Sequence, residues 1–332
     1  MKVYPLRLGS AKVPFGQFYG GLEGWRGLGA LARYVTDKRH FMLVPIHAWL
    51  IDHPDGPILV DAGIHARQAH EHGAYYRGIA HYLHDHDEFG LDRSEELPQA
   101  LEHLGRRPSD VRQVVVTHLH EDHIGGIAYL PDAEVVVSRA EWEQRQWRLF
   151  GFLPMVYQPS LASFGAVSQI DFVSGPFESF ESSHDLTVDG AVKLLPTPGH
   201  TPGHMSVLVR LDGYELLITG DTMYTLRHLA TEDVQAFGAG PWVARQNAAN
   251  RRIGQLKRAR PNLVLVPGHD HSAYGRDLLE PALSKGFLTV EDRGRIREHE
   301  TRMFTDDGRL RPGELPRYVP GSASGGVGSI AE

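Results

Sequence analysis

Four strand-like apolar runs in this chain stop at a histidine or an aspartate, so any fold it adopts has to gather four polar strand ends. Residues 113–117 run directly into His118-Leu119-His120-Glu121-Asp122-His123-Ile124-Gly125-Gly126. Residues 192–196 lead to Thr197-Pro198-Gly199-His200-Thr201-Pro202-Gly203-His204, residues 215–219 to Gly220-Asp221, and residues 263–267 to Gly268-His269-Asp270-His271. At the last three ends a glycine precedes the polar residue, permitting the sharp turn that aims the next side chain into a shared cleft. At the first, residues two apart on an extended chain point the same way, so His118 and His120 converge. A turn then brings Asp122 and His123 back towards the same space, and Gly125-Gly126 lets the backbone pack closely. Imidazole and carboxylate are the ligands expected of zinc and similar divalent ions.

The frame around these ends reads as layered. Further apolar runs at 41–51, 57–60, 134–138 and 205–211 predict strands, and helical patterns follow at 94–104, 139–150, 242–260 and 284–299. Strands mixed with helices point to an α/β or α+β architecture. At 332 residues the chain can bury a sizeable core. From Asp306 onward it turns polar and small, ending in GSASGGVGSIAE, so residues 1–305 are expected as a single domain and 306–332 as a flexible tail.

Composition removes several function classes. A formal charge of −7 argues against a nucleic-acid binder, which usually shows a basic face. The absence of cysteine excludes disulfides, thiolate ligands and a cysteine nucleophile. No stretch approaches the ~18 apolar residues that would span a bilayer, and the start lacks the apolar run of a signal peptide, so no membrane partner and a cytoplasmic location are expected.

Of the 20 histidines, a group between His65 and His86, among them His70, His72, His81 and His84, lacks both a strand end and a fixed metal spacing. It reads as a helical or loop excursion near the site rather than a further metal centre. Trp142, Trp147, Phe150, Phe152 and Tyr157 read as core packing or as a wall of a substrate pocket, and Phe237 with Trp242 as another wall.

The constellation His118-x-His120-x-Asp122-His123, His200, Asp221 and His269 resembles that of the metallo-β-lactamase superfamily, over roughly 41–271. Gly56-Pro57-Ile58-Leu59-Val60-Asp61-Ala62-Gly63 belongs to the same likeness. Asp221-Thr222-Met223-Tyr224-Thr225 looks like the Asp-x-x-Tyr of the N-acyl-homoserine lactone lactonases, the quorum-quenching enzymes. The resemblance implies a four-layer αβ/βα sandwich with two divalent ions at one edge of the sheets, expected to be zinc, with cobalt, manganese or iron as alternatives. It assigns His118, His120 and His200 to one ion, Asp122, His123 and His269 to the other, and Asp221 to both. His204 and His271 then become supporting or surface residues. Many lactonases carry an aromatic residue where this chain has Glu121, which leaves the acyl preference open.

Two ions in such a site generate a bridging hydroxide at neutral pH. The implied reaction is its attack on the carbonyl of a small-molecule lactone. Tyr224 then steadies the oxyanion and Asp122 carries the proton to the leaving alkoxide. The alternative is a hydrolase of another lactone, a thioester or a phosphoester on the same site. A homodimer is compatible with this reading.

Overall fold

The apolar runs have no polar side because both of their faces are covered, the pattern of strands buried within layered α/β folds. The computed structural model describes residues 1–19, 29, 39–76, 88–149, 153–154, 161–230, 241–311 and 319–320. In chain order its strands are β1 (Lys2–Pro14), β2 (His40–His53), β3 (Gly56–Val60), β4 (Glu88–Gly90), β5 (Gln113–Val115), β6 (Glu134–Ser138), β7 (Arg148–Leu149) and β8 (Leu153–Pro154). They continue with β9 (Val167–Ile170), β10 (His184–Asp185), β11 (Val192–Pro196), β12 (Met205–Leu211), β13 (Tyr214–Gly220), β14 (Leu263–Pro267) and β15 (Val319–Pro320). One sheet has the order β4-β1-β2-β3-β5-β6-β9 with β15 beside β2, a second runs β10-β11-β12-β13-β14, and β7 and β8 pair separately as a two-stranded ribbon.

Period-two alternation sorts the first sheet into two faces. Trp49 and Ile51 of β2, Ile58 and Val60 of β3, Val115 of β5 and Val136 of β6 pack in one cluster with Leu194, Val207 and Ile218 of the second sheet. Their neighbours Ala48, Leu50, Leu59, Val114, Val135 and Val137 face away and meet Leu97 and Leu101 of the helix Leu97–His103, with Ile124 and Ile127. The far face of the second sheet is closed by Ile253 and Leu256 of the helix Pro241–Ala259 and by Ile296 of the helix Val290–Met303. Helices, sheet, sheet, helices is the four-layer αβ/βα sandwich. Among the described residues no helix is long and apolar enough to cross a membrane.

Several boundaries differ from the sequence reading, each for a local reason. The strand expected at 113–117 pairs only to Val115, because the backbone N–H of Thr117 donates to Asp61 Oδ1 instead. The helix expected from 284 starts at Val290, where Thr289 and Asp292 form a reciprocal cap. The helix expected over 139–150 ends at Gln144. Strand β1 was not anticipated. It pairs with β2 from Lys2↔Asp52 to Pro14↔Phe41, with a register shift between Arg7 and Ser10, and the bulge breaks the alternation that would have marked it. Within the segment read as a tail, Val319–Pro320 pairs with Phe41 and His40, while 312–318 and 321–332 lie outside the described residues.

Ile218 is buried in β13, the strand that ends at Gly220, on the same face as Val207 and Leu194. Ile218→Ala should lower stability by about 2–5 kcal/mol, the range for truncating a buried isoleucine, read as a fall in the urea unfolding midpoint. An unchanged midpoint would show that the two sheets do not share this core.

Candidate metal centre

All four polar strand ends meet at one edge of the sandwich. His118 and His120 follow β5, and Asp122 and His123 sit on the one-turn helix Glu121–Ile124. His200 follows β11, Asp221 directly follows β13, and His269 follows β14. Their ligand atoms form two groups, His118, His120, His200 and Asp221 in one and Asp122, His123 and His269 in the other, each within 4.8 Å.

In the first group His118 Nε2, His120 Nδ1 and His200 Nε2 form a triangle with sides of 2.9, 2.9 and 3.1 Å. Asp221 Oδ2 lies 3.3 Å from His200 Nε2 and 3.7 Å from His118 Nε2. In the second, Asp221 turns its other oxygen, Oδ1, to within 3.3 Å of His123 Nε2 and 3.2 Å of His269 Nε2. Asp122 Oδ2 stands 3.6 and 3.4 Å from the same two nitrogens. Tetrahedral coordination with bonds of about 2.0–2.1 Å sets ligand atoms roughly 3.3 Å apart, so both groups have the spacing of a divalent-ion cradle.

The outer nitrogens determine where the lone pairs point. Thr117 donates its hydroxyl proton to Asp61 Oδ2, so its oxygen accepts from His118 Nδ1 at 3.1 Å. His123 Nδ1 donates to Asp61 Oδ2 at 2.9 Å, and His269 Nδ1 to the carbonyl of Pro45 at 2.8 Å. Each arrangement leaves Nε2 to face the cradle. His123 Nε2 and Asp221 Oδ1 are buried and have no hydrogen-bond partner, which is the environment a bound cation completes.

Electrostatically the two groups differ. Burial, reinforced by neighbouring imidazoles, holds His118 and His200 well below the usual histidine range, so their lone pairs are available at neutral pH. Burial would lower His123 and His269 too. The carboxylates of Asp221, Asp122 and Asp61 outweigh it for His123, and those of Asp221 and Asp122 raise His269 to about 10. Burial opposes ionisation of Asp122, but His123 and His269 hold its carboxyl down at about 2. A divalent ion would take the place of the protons these carboxylates favour, so loading should release protons.

Around the cradle, His204 is a supporting residue rather than a surface one. It accepts from the backbone N–H of Asp221 at 3.0 Å and donates through Nδ1 to Thr197 Oγ1 at 2.8 Å. Burial lowers it to about 3 and keeps it neutral. Gly220 has φ +53° and a Cβ there would meet His204 Nε2 at 2.7 Å, so glycine is required ahead of Asp221. Tyr224, 4 % exposed, places its hydroxyl 3.2 Å from His200 Nδ1, and the Phe18 ring stacks on it at 4.2 Å.

Some of these contributors were not foreseen. Asp61 had a signal, since the run 57–60 also ends in a carboxylate followed closely by glycine. Phe18 had none, lying on the helix Phe15–Tyr19 far upstream. His271, half-buried, meets Phe18 and Tyr19 edge-on and joins neither ligand group. His65 caps the helix Ala66–His70 and stacks on Tyr129, and His70 and His72 also join neither group. His81, His84 and His86 lie outside the described residues, as do Phe150, Phe152, Tyr157 and Phe237 and the side chain of Trp242. Trp142 stacks on Phe164, Trp147 is 52 % exposed, and Glu121 is buried.

The family model of the metallo-beta-lactamase superfamily matches residues 42–269. The N-acyl homoserine lactonase AttM of Rhizobium johnstonii is 31% identical over 243 residues, 70% of this chain and 84% of that protein. A probable metallo-hydrolase of Mycobacterium tuberculosis is 30% identical over 258 residues, 69% and 75% of the two chains. The fold is similar to a solved N-acyl homoserine lactone hydrolase with N-hexanoyl-L-homoserine at its catalytic metal centre, with a TM-score of 0.64 and 20% identity over 81% of this chain and 93% of that one.

Asp61→Asn would keep the shape but set an amide N–H₂ against Thr117 and His123, which both donate to the carboxylate. Divalent-ion affinity should fall about 10–100-fold, the usual effect of losing a partner that orients a ligating imidazole. The check is competition against a chelator of known affinity. Wild-type retention in the variant would show that Asp61 does not orient these rings.

Proposed function

The chain belongs to the metallo-beta-lactamase superfamily, and from that footing we propose that it is a dinuclear metal-dependent hydrolase opening the ring of N-acyl homoserine lactones. One ion would be held by His118, His120 and His200 and the other by Asp122, His123 and His269, with Asp221 shared, and zinc suits the donor set. The observation that carries the reading is the two-sided reach of Asp221, one oxygen towards each nitrogen set, with a phenol three residues later hydrogen-bonded to a cradle histidine. The lactonase activity named for its relatives adds support. When bound, the ions would supply an activated water and a Lewis acid for the lactone carbonyl.

The remaining work falls to the chain itself. Tyr224 stacks on Phe18 and sits against His200, so its ring is held in place over the cradle. From there it donates to the carbonyl oxygen as charge develops, an interaction that strengthens only towards the transition state. Asp122, with a side chain 20% exposed where that of Asp221 is 5%, is the carboxylate open to the cleft. Held ionised at neutral pH, it takes the proton of the attacking water and passes it to the ring oxygen as the ester C–O bond breaks. The product is the open N-acyl homoserine carboxylate.

Purified protein should contain two divalent ions per chain by elemental analysis and lose lactone hydrolysis on chelation. Against a panel of acyl-homoserine lactones, aliphatic lactones, thioesters and phosphotriesters, the acyl-homoserine lactones should be cleaved best. Tyr224→Phe should cut their turnover about 10–100-fold with metal content unchanged. Cleavage of a phosphotriester with every lactone untouched would overturn the substrate assignment. Activity without more than trace metal would overturn the dinuclear site.

A further inference from the structure

Glu141 is a charged side chain with no exposure to solvent and no basic residue among its hydrogen-bond partners. It lies on the helix Arg139–Gln144 that follows β6, and its carboxylate reaches two loops distant in sequence. Oε1 accepts the backbone N–H of Leu119, the residue between His118 and His120, at 2.9 Å. Oε2 accepts the hydroxyl of Thr201, next to His200, at 2.7 Å and the backbone N–H of Gly203 at 3.0 Å. The helix start reinforces the second contact. Ser138 donates to the carbonyl of Gly203 at 2.6 Å and accepts from the N–H of Glu141 at 3.1 Å. Burying a carboxylate is costly unless its oxygens are well satisfied, and here they are satisfied by the two loops that carry the three-histidine cradle.

We propose that Glu141 is a positioning residue that ties the His118–His120 loop to the His200 loop and so preforms the three-histidine ion site. All three partners donate, so the position requires an acceptor-only group. Glutamine keeps the size but turns one oxygen into a donor, facing either Leu119 or the Thr201–Gly203 pair. The side-chain partners of Glu141 lie beside His118, His120 and His200 and include none of Asp122, His123 and His269, so the second ion should be spared.

The inference rests on the two-ion reading above, and its test separates the two. Zn²⁺ is titrated calorimetrically into metal-free wild type and Glu141→Gln, and amide hydrogen exchange is followed in the same proteins. The variant should lose about 10–100-fold in affinity for one ion and stay within twofold for the other. That loss should persist in a His269→Ala background and vanish in a His120→Ala background. Exchange at Leu119 and Gly203 should accelerate at least tenfold, with β12 amides unchanged. Wild-type affinities and exchange in the variant would overturn the proposal, as would equal weakening of both ions with exchange rising throughout. Should the glutamine variant fail to fold, Thr201→Val removes a single donor, and it should weaken the same ion and expose Gly203. No change there is equally fatal. Wild type taking up fewer than two ions would instead sink the dinuclear reading, with the exchange at Leu119 and Gly203 still deciding the role of Glu141.

Discussion

The carboxylate of Asp221 is the group around which the rest is arranged. A buried charge of this kind is sustained only by compensating charge at close range, and both of its oxygens have imidazole nitrogens within 3.2–3.3 Å. Its backbone is held as firmly as its side chain. The N–H goes to His204, and the carbonyl accepts from Gln246 of the helix Pro241–Ala259. Gly268 approaches so closely that a Cβ there would meet Asp221 Oδ1 at 2.6 Å. Four separate segments thus converge on one residue at the end of one strand.

What the sequence made legible follows from the physics of each feature. The strands at 134–138, 192–196, 205–211 and 263–267 match their observed bounds because each is apolar and covered on both faces, so the run and the strand coincide. Ligand-type residues were legible because they interrupt such runs at their ends, where a polar group has no packing role. Strand β1 was not, since Pro5, Gly9 and a register shift scramble its period. Contacts such as Phe18 on Tyr224 or Glu141 on Leu119 depend on how distant segments dock, and a linear pattern carries no mark of that.

The site also divides into a centre inside the matched span and a surround partly outside it. Every member of the two ligand groups lies within the span matched by the superfamily, 42–269. Phe18 and Tyr19 precede it, yet Phe18 stacks on Tyr224, Tyr19 stacks on His228, and His228 donates to the carbonyl of Phe18 at 3.0 Å. His228 also accepts from the N–H of Thr225, so one imidazole links the N-terminal helix to the residue after Tyr224. The ligand groups and part of the wall that presses on Tyr224 thus come from different stretches of the chain, in keeping with function residing in sites carried by a fold.

The two groups of ligands draw on both sheets, and this sets an order on the birth of the protein. His118 to His123 follow β5 of the first sheet, whereas His200, Asp221 and His269 follow strands of the second. A ribosome delivers the first sheet's share early, and chains fold as they emerge. Each group, however, lacks a member until the second sheet docks, and the second group waits for the residue after β14, its last strand. The nascent chain therefore reaches a stage at which the His-x-His-x-Asp-His turn has Asp61 and Thr117 behind it but none of His200, Asp221 or His269. Only a nearly finished molecule offers an ion a closed cage, so tight metal uptake reports that both halves of the sandwich have been made and joined.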